Sequence, residues 1–323
     1  PGEHIVEARF RLARAEIDRG ARPQGRWQAE DLIRMLSADD AGDERELLAD
    51  TRWLVVRSYN MPNPPAAHLD MAVTASRDFL RNHPVDPRAV KAAFDIAQAY
   101  QNHGRTSDAV EAFRGFIDGD GFQLPNGETA TAAHPDLPKS PAELREEWTQ
   151  LALYRIGAIQ FQQHEYENAI DTWRSYVKRH PNGANWAASQ NGIVNAQFQQ
   201  GVQALAEKEY ARARGAFQQF LREHPLDQRA RRILFAFGQI AAAEAEQAEE
   251  DERDEDEVHT LYRKVVDEWR KLVGKYPNTQ ESSLALYKIG MIHEEKLQDF
   301  DAALDAYRNL TWGSYASQAR QRI

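Results

Sequence analysis

Cysteine is absent from this 323-residue chain. Its absence excludes disulfide scaffolds, thiolate zinc sites, iron–sulfur clusters and cysteine nucleophiles. Long apolar runs are scarce as well. The longest nearly uncharged stretch of one predicted helix, Ile233 to Ala243, is shorter than the roughly 18 residues that a bilayer span needs. We therefore expect no membrane span in this chain.

The usual motifs of catalysis and cofactor binding are missing too. The chain has no glycine-rich phosphate loop and no Gly-x-Ser-x-Gly nucleophile elbow. Asp118-Gly-Asp-Gly121 begins like a calcium loop, but Phe122 stands where the third ligand should be. We predict no metal, no cofactor and no enzymatic activity. The alternative is an all-α enzyme, which would need paired catalytic carboxylates in a groove.

Positive charge is also in short supply, since 40 basic residues face 50 acidic ones. Residues 244–257, called the acidic segment below, hold ten acids and one base, so the rest of the chain is almost neutral. Without a basic stripe, nucleic acid is not an expected partner. The acidic segment is either a solvated helix tip or an attractor of basic partners or loosely bound cations. Its central residues are Glu250, Asp251, Asp254, Glu255 and Asp256.

Internal repetition is what the chain does contain. Residues 151–157 and 284–290 differ at one position in seven. Ala169, Trp173, Tyr176 and Pro181 recur as Ala213, Phe217, Phe220 and Pro225, with identical intervals of 4, 3 and 5 residues. Steps of 3 and 4 place residues on one helical face, and proline after His or Tyr ends a helix. The pattern predicts helical hairpins that must stack to bury their apolar faces.

This pattern resembles the tetratricopeptide repeat (TPR) of bacterial envelope proteins, over residues 43 to 315. The best matches are Ile156, Gly157, Ala169, Trp173, Tyr176 and Pro181, followed by Gly201, Ala213, Phe217, Phe220 and Pro225. Residues 310–323 are similar to the end of TPR regions that precede α2-macroglobulin-like domains in large bacterial proteins. The resemblance implies an all-α solenoid of about seven hairpins in a right-handed superhelix. It also implies a periplasmic or envelope location and a concave face lined by the first helix of each hairpin.

The chain divides by pattern into five stretches. Residues 1–42 predict a degenerate hairpin or cap, whose second helix begins at Gly25 after a break at Arg22-Pro23. Residues 43–118 and 141–311 predict TPR-like hairpins, separated by an irregular loop at 119–140 that is long enough to be functional. One unbroken helix through the acidic segment is an alternative to an extended hairpin tip. Residues 312–323 predict a further helix, and because the chain starts at Pro1 without methionine, we expect it to be part of a longer protein.

Five aromatic residues lie three positions before the small residue of a first helix: Phe94, Tyr154, Phe198, Phe235 and Tyr287. Polar residues near them on the same helices are Gln98, Asn191, Asn195 and Gln239. Such a row could stack against an extended peptide or a partner helix, or it could simply pack between adjacent hairpins. The first helices also carry Lys91, Arg155, Arg232 and Lys288, which do not form a two-Lys, two-Asn carboxylate clamp.

Our leading interpretation is a non-enzymatic scaffold that binds a protein or peptide on its concave face. The alternative is a docking or spacer region within a larger bacterial protein, whose partners are the neighbouring domains of the same chain.

Overall fold

The structure is a computed structural model, and it describes residues 3–38 and 45–323. Within these ranges every regular element is a helix. Fourteen α-helices form seven consecutive hairpins, which confirms the predicted all-α repeat architecture. The hairpins are α1 (Glu3–Asp18) with α2 (Arg22–Ala38), α3 (Arg45–Ser58) with α4 (Leu69–Asn82), α5 (Ala89–Asn102) with α6 (Thr106–Asp118), α8 (Pro141–Gln162) with α9 (Tyr166–Arg179), α10 (Trp186–Ala206) with α11 (Tyr210–Glu223), α12 (Ala230–Glu250) with α13 (Glu255–Lys275), and α14 (Gln280–Glu295) with α15 (Phe300–Asn309). The short α7 (Glu128–Thr131) follows α6, and α16 (Ala316–Arg322) follows the last hairpin.

The chain forms two compact units, one ending at Ile193 and the other starting at Val194, so the boundary falls within α10. In the first unit the largest apolar core runs from α3 to α8 and includes the fully buried Phe79 and Phe113. In the second unit one core surrounds Phe217 and another surrounds Trp269. Each unit therefore buries its own apolar interior, as stacked hairpins require.

A small residue against an aromatic ring closes the hairpins, as the sequence intervals predict. In the first unit, a Cβ added to Gly157 would stand 2.5 Å from Nε1 of Trp173. In the second unit, a Cβ at Gly201, Gly238 or Gly290 would come closer than 3 Å to the ring of Phe217, Trp269 or Tyr307, respectively. Only glycine leaves room for these rings, and each ring is buried in the crossing that it fills.

The residue before each proline ends the second helix of a hairpin, which confirms another prediction. The backbone N–H of His83, His180, His224 and Tyr276 donates to the carbonyl oxygen four residues earlier, which belongs to Phe79, Tyr176, Phe220 and Leu272, respectively. The three imidazoles also lie 4.9–5.6 Å from the aromatic ring of that earlier residue. Proline then prevents the helix from continuing.

The first hairpin differs from its predicted form. Helix α2 begins at Arg22, not at Gly25, because a proline in the first helical turn loses no hydrogen bond. Gly25 instead lies at the crossing with α1, where an added Cβ would be 2.6 Å from Cγ1 of Ile17. The predicted boundary between residues 42 and 43 lies outside the described residues.

The stretch at 119–140 is irregular apart from α7, and it is attached to the first unit's core. Phe122 is buried and stacks on Phe116 with ring centroids 5.4 Å apart. Leu137 is also buried, and the backbone N–H of Gln123 donates to the carbonyl of Pro84 at 2.7 Å. These contacts give the stretch a packing role on the core of its own unit.

The acidic segment is not one continuous helix. Helix α12 ends at Glu250, the chain turns through Glu252 in a left-handed conformation with φ of 54°, and α13 begins at Glu255. The Asp254 side chain caps α13 by accepting from the backbone N–H of Asp256 at 3.0 Å. Alanine and glutamate favour helix up to Glu250, whereas the break contains Asp251 and Asp254, and aspartate favours caps over helix interiors. The alternative of one unbroken helix through residues 244–257 is therefore wrong.

Candidate functional site

The five predicted aromatic residues do not share one environment. Phe94 and Phe198 are buried, being 2% and 4% exposed. Tyr154, Phe235 and Tyr287 are half-buried. For Phe94 and Phe198 the structure therefore shows the packing that the alternative interpretation described. The three half-buried rings keep part of their surface in solvent.

Aromatic side chains from neighbouring segments pack on these rings or bind their carbonyls. Phe94 stacks on Trp148 of α8 with ring centroids 4.7 Å apart, and Tyr287 stacks on Tyr315 at 5.5 Å. Phe235 stacks on Trp269 at 5.8 Å, and its carbonyl accepts from the Trp269 indole N–H at 3.1 Å. The carbonyl of Tyr154 accepts from Trp173 in the same way at 3.2 Å. At Tyr154 and Phe235, therefore, the carbonyl three positions before the small residue accepts a hydrogen bond from the tryptophan of the second helix.

Cations stand over two of the rings. In the first unit, the guanidinium of Arg155 lies 5.9 Å from the ring centroids of both Phe94 and Phe113. Burial lowers the pKa of Arg155, because desolvation disfavours its charged form. In the second unit, the guanidinium of Arg232 lies 5.2 Å from the centroid of Phe198. Both placements are cation–π contacts.

The predicted polar residues also differ in their availability. Gln98 is half-buried and, with its amide oxygen turned toward Arg155, accepts from that guanidinium at 2.9 Å. Asn191 and Asn195 are both exposed on α10, and Asn195 accepts from Arg229 at 2.7 Å. Gln239 is exposed on α12. Asn191 and Gln239 are therefore the predicted polar residues most open to a partner.

Phe198, Phe235 and Gln239 meet at one open cavity of about 260 Å³ in the second unit. The cavity is lined by residues of first helices α10, α12 and α14 and by Phe217 of α11. Its lining residues are Phe198, Val202, Leu205, Phe217, Arg232, Phe235, Ala236, Gln239 and Glu281. Larger cavities of about 710, 480 and 280 Å³ lie in the first unit, but they contain none of the predicted residues. We therefore take the 260 Å³ cavity, called the α12 cavity below, as the candidate site.

Charge at the α12 cavity is unbalanced. Glu281 is the acid that lines it, and Arg231 already pairs with that carboxylate at 3.2 Å. Arg232 is exposed, and no carboxylate of the described residues lies within ion-pair distance of it. The cavity thus combines an apolar floor with a positive charge that the second unit leaves uncompensated.

Sequence reasoning missed a pair of arginine–aspartate turns. Each follows a His-Pro helix end: Asp86 and Arg88 in the first unit, Asp227 and Arg229 in the second. In both turns the guanidinium donates to both carboxylate oxygens of the aspartate, at 2.7–2.8 Å. The recurrence of His-Pro-x-Asp-x-Arg was the available signal. A His-Pro pair by itself predicts only a helix end, so the turn that follows it needs the Asp and Arg as well.

These turns also reach back to the preceding first helix. Arg88 donates to Asp50 of α3 at 2.6 Å, and Arg229 donates to Asn195 of α10. Hydrogen bonds from Arg88 outweigh the effect of burial and lower the pKa of Asp86. The hydrogen bond from Arg229 likewise lowers the pKa of Asp227. Each arginine therefore fixes the turn and the helix beside it, which is a structural role.

Acids of the acidic segment pair with side chains that lie close to them. Glu249 accepts from Lys296 and from the hydroxyl of Tyr262, which lowers the pKa of Glu249. Asp251 lies 3.7 Å from Arg253, and the acids that open α13 suit the positive end of its dipole. Among the described residues, no group of three or more His, Asp or Glu side chains is arranged to hold a metal ion.

Helical hairpins closed by a small residue against an aromatic ring, with an open first-helix surface, define a TPR-type repeat protein. Proteins of this class are scaffolds for protein–protein interaction. The family model for YfiO, an outer membrane lipoprotein, matches residues 146–307, half of the chain. The chain belongs to this family. That membership associates it with the cell envelope.

Several solved structures are similar to the chain along most of its length. A tetratricopeptide repeat protein from Parabacteroides merdae is 12% identical, with 98% of this chain and 96% of that one covered and a TM-score of 0.37. The apo form of RapI is 11% identical, with 95% and 76% covered and a TM-score of 0.30. A Rap protein complexed with competence and sporulation factor is 12% identical, with 100% and 78% covered and a TM-score of 0.32.

No curated protein sequence matches the chain. Across the part of the chain that the structure describes, no helix combines the length and the apolar character that a membrane crossing demands.

Proposed function

We propose that this chain is a non-enzymatic scaffold of the cell envelope that binds a protein or peptide segment at the α12 cavity. The observation that carries the proposal is the convergence of Phe198, Phe235 and Gln239 on one open cavity. The sequence singled out these three residues independently, from two different first helices. An apolar floor with a few polar groups at its mouth is the usual form of a peptide-binding site.

The rest of the predicted surface extends this proposal within each unit. Tyr287 lies on α14 in the second unit, with Asn195 exposed on α10. Tyr154 and Asn191 offer the corresponding surface in the first unit. Phe94 and Gln98 both contact the Arg155 guanidinium, and the Phe94 ring is covered by Trp148 of α8. A partner would touch the half-buried and exposed members, and the buried rings would hold them in place.

The test uses a bulky substitution at the cavity mouth. Gln239 is exposed and holds no hydrogen bond within the described residues, so Gln239→Tyr should fold normally and obstruct the cavity. Gln218→Tyr, on an exposed position of α11, is the matched control. Each protein serves as bait in a cross-linking pull-down from native envelope extract, after circular dichroism has shown equal helix content.

We expect wild type and Gln218→Tyr to capture the same protein and Gln239→Tyr to lose it. Capture that is equal for all three baits would overturn the proposal. The chain would then act as a spacer between neighbouring domains, and the α12 cavity would be a packing defect without a ligand.

A further inference from the structure

The α12 cavity carries a clue to the chemistry of its occupant, and the inference drawn from it rests on the proposed function. Arg232 is exposed, and its guanidinium carbon lies 5.2 Å from the centroid of the Phe198 ring. A guanidinium on an aromatic face keeps its N–H groups directed sideways, where they can bind a carboxylate through two hydrogen bonds. Within the described residues no acid uses this capacity.

The surroundings of Arg232 reinforce the positive potential. Glu281, the acid that lines the cavity, is neutralised by Arg231 at 3.2 Å. Lys288 on α14 lies 5.8 Å from the ring of Trp269, which itself stacks on Phe235, and no described carboxylate pairs with this lysine. The charge is notable because the chain as a whole carries a formal net charge of −10. The negative net charge would repel an acidic partner from most of the chain, whereas Arg232 would attract it to the α12 cavity.

The apolar part of the cavity limits the size of what enters. A volume of about 260 Å³ is larger than an apolar cavity of about 150 Å³ that can hold a benzene ring. This is room for one large apolar side chain resting on Phe217 and Phe235. It is too little for a folded domain or a bilayer surface to enter. A nucleic acid would need several cations along its backbone, and one arginine with one lysine does not provide them.

We infer that the α12 cavity recognises an acidic peptide segment, in which a large apolar side chain fills the cavity and an adjacent Asp or Glu carboxylate pairs with Arg232. The apolar residue supplies burial, and the carboxylate sets the register of the segment. The partner class is thus a short acidic–hydrophobic motif in an extended or helical protein segment.

The experiment is a selection followed by a charge swap. A library of random nine-residue peptides displayed on yeast is sorted for binding to the 323-residue chain. The most enriched peptide is then synthesised with a fluorescein label, together with a version in which Lys replaces its acid. Binding of both peptides is measured by fluorescence anisotropy to wild type, Arg232→Glu and Arg263→Glu. Arg263 is an exposed arginine of α13 outside the cavity and serves as the control.

We expect Asp or Glu beside a large apolar residue to dominate the selected peptides. Arg232→Glu should weaken the acidic peptide by about tenfold or more and favour the lysine version, while Arg263→Glu leaves both affinities unchanged. Peptides that bind without an acid, or that ignore Arg232→Glu, would overturn the inference. If Gln239→Tyr still abolished their binding, the proposed surface would stand. A selection that yields no binder at all would overturn both.

Discussion

Gly238 offers the sharpest test of how the hairpins are closed. A Cβ at this position would come closer than 3 Å to three atoms of the Trp269 indole, whereas ordinary contacts need 3.4 Å or more. The ring has little freedom to retreat, because it is 2% exposed and its N–H donates to the carbonyl of Phe235. Gly238→Ala therefore forces the indole or the helix to shift by about 1 Å.

The magnitude follows from three contributions. Overpacking costs about 1–3 kcal/mol, and a weakened indole hydrogen bond costs about 1 kcal/mol. Alanine returns about 1 kcal/mol through its higher helix propensity. We expect Gly238→Ala to lower the free energy of unfolding by about 1–3 kcal/mol. Gly215 and Gly274 are the controls, since each lies on a helix with open space around its Cβ position. Alanine there should stabilise by about 0.5–1 kcal/mol.

Urea unfolding followed by circular dichroism at 222 nm measures all three variants. In a double variant that combines Gly238→Ala with Trp269→Phe, the smaller phenylalanine ring leaves more space for the new Cβ. The double variant should therefore lose less free energy of unfolding than the sum of the two single losses. The reasoning is wrong if Gly238→Ala matches Gly215→Ala in sign and size. It is also wrong if the two losses at 238 and 269 simply add.

Three further predictions concern stability. Arg88→Met should cost about 3–5 kcal/mol, because its side chain is 5% exposed and three carboxylates, those of Asp50, Asp86 and Asp136, would lose a partner; Arg229→Met, at 24% exposure, should cost clearly less in the same urea titration. Burial lowers the pKa of His293 below 6.5, so its contribution to stability is present above pH 6.5 and is lost as the pH falls toward the folded-state pKa. Melting curves at pH 7.5 and 5.0 should then show a larger acid-induced drop for wild type than for His293→Phe, and equal drops would refute this. Ser140→Ala removes the capping box of α8 and should lower the free energy of unfolding by about 1 kcal/mol, whereas an unchanged urea midpoint would show that the box contributes nothing.

The hairpins could be predicted because their determinants are local. Gly157 and Trp173 stand 16 residues apart, as do Gly201 and Phe217, since helix period and turn length together set that interval. The His-Pro helix ends are equally local, because proline acts on the residue before it. Recurrence of these short intervals was enough to show the all-α repeat architecture.

The candidate site could be predicted only in part. The sequence marks Phe198, Phe235 and Gln239 as members of one row, but the depth at which each ring lies depends on the neighbouring hairpin. Arg232 reaches Phe198 across 34 residues, a distance that no helical period encodes. The position of the break in the acidic segment was not predictable for a related reason. It depends on the backbone conformation of Glu252, which composition does not reveal.

Trp269 gives the second unit a built-in optical probe. Its indole is buried, donates a hydrogen bond to the Phe235 carbonyl and stacks on the Phe235 ring. Phe235 also lines the α12 cavity. A side chain that enters the cavity presses on Phe235 and changes the electric field and the packing felt by the indole. Emission excited at the tryptophan band would then change on occupancy without any attached dye. Replacing the six other tryptophans with phenylalanine would isolate that signal.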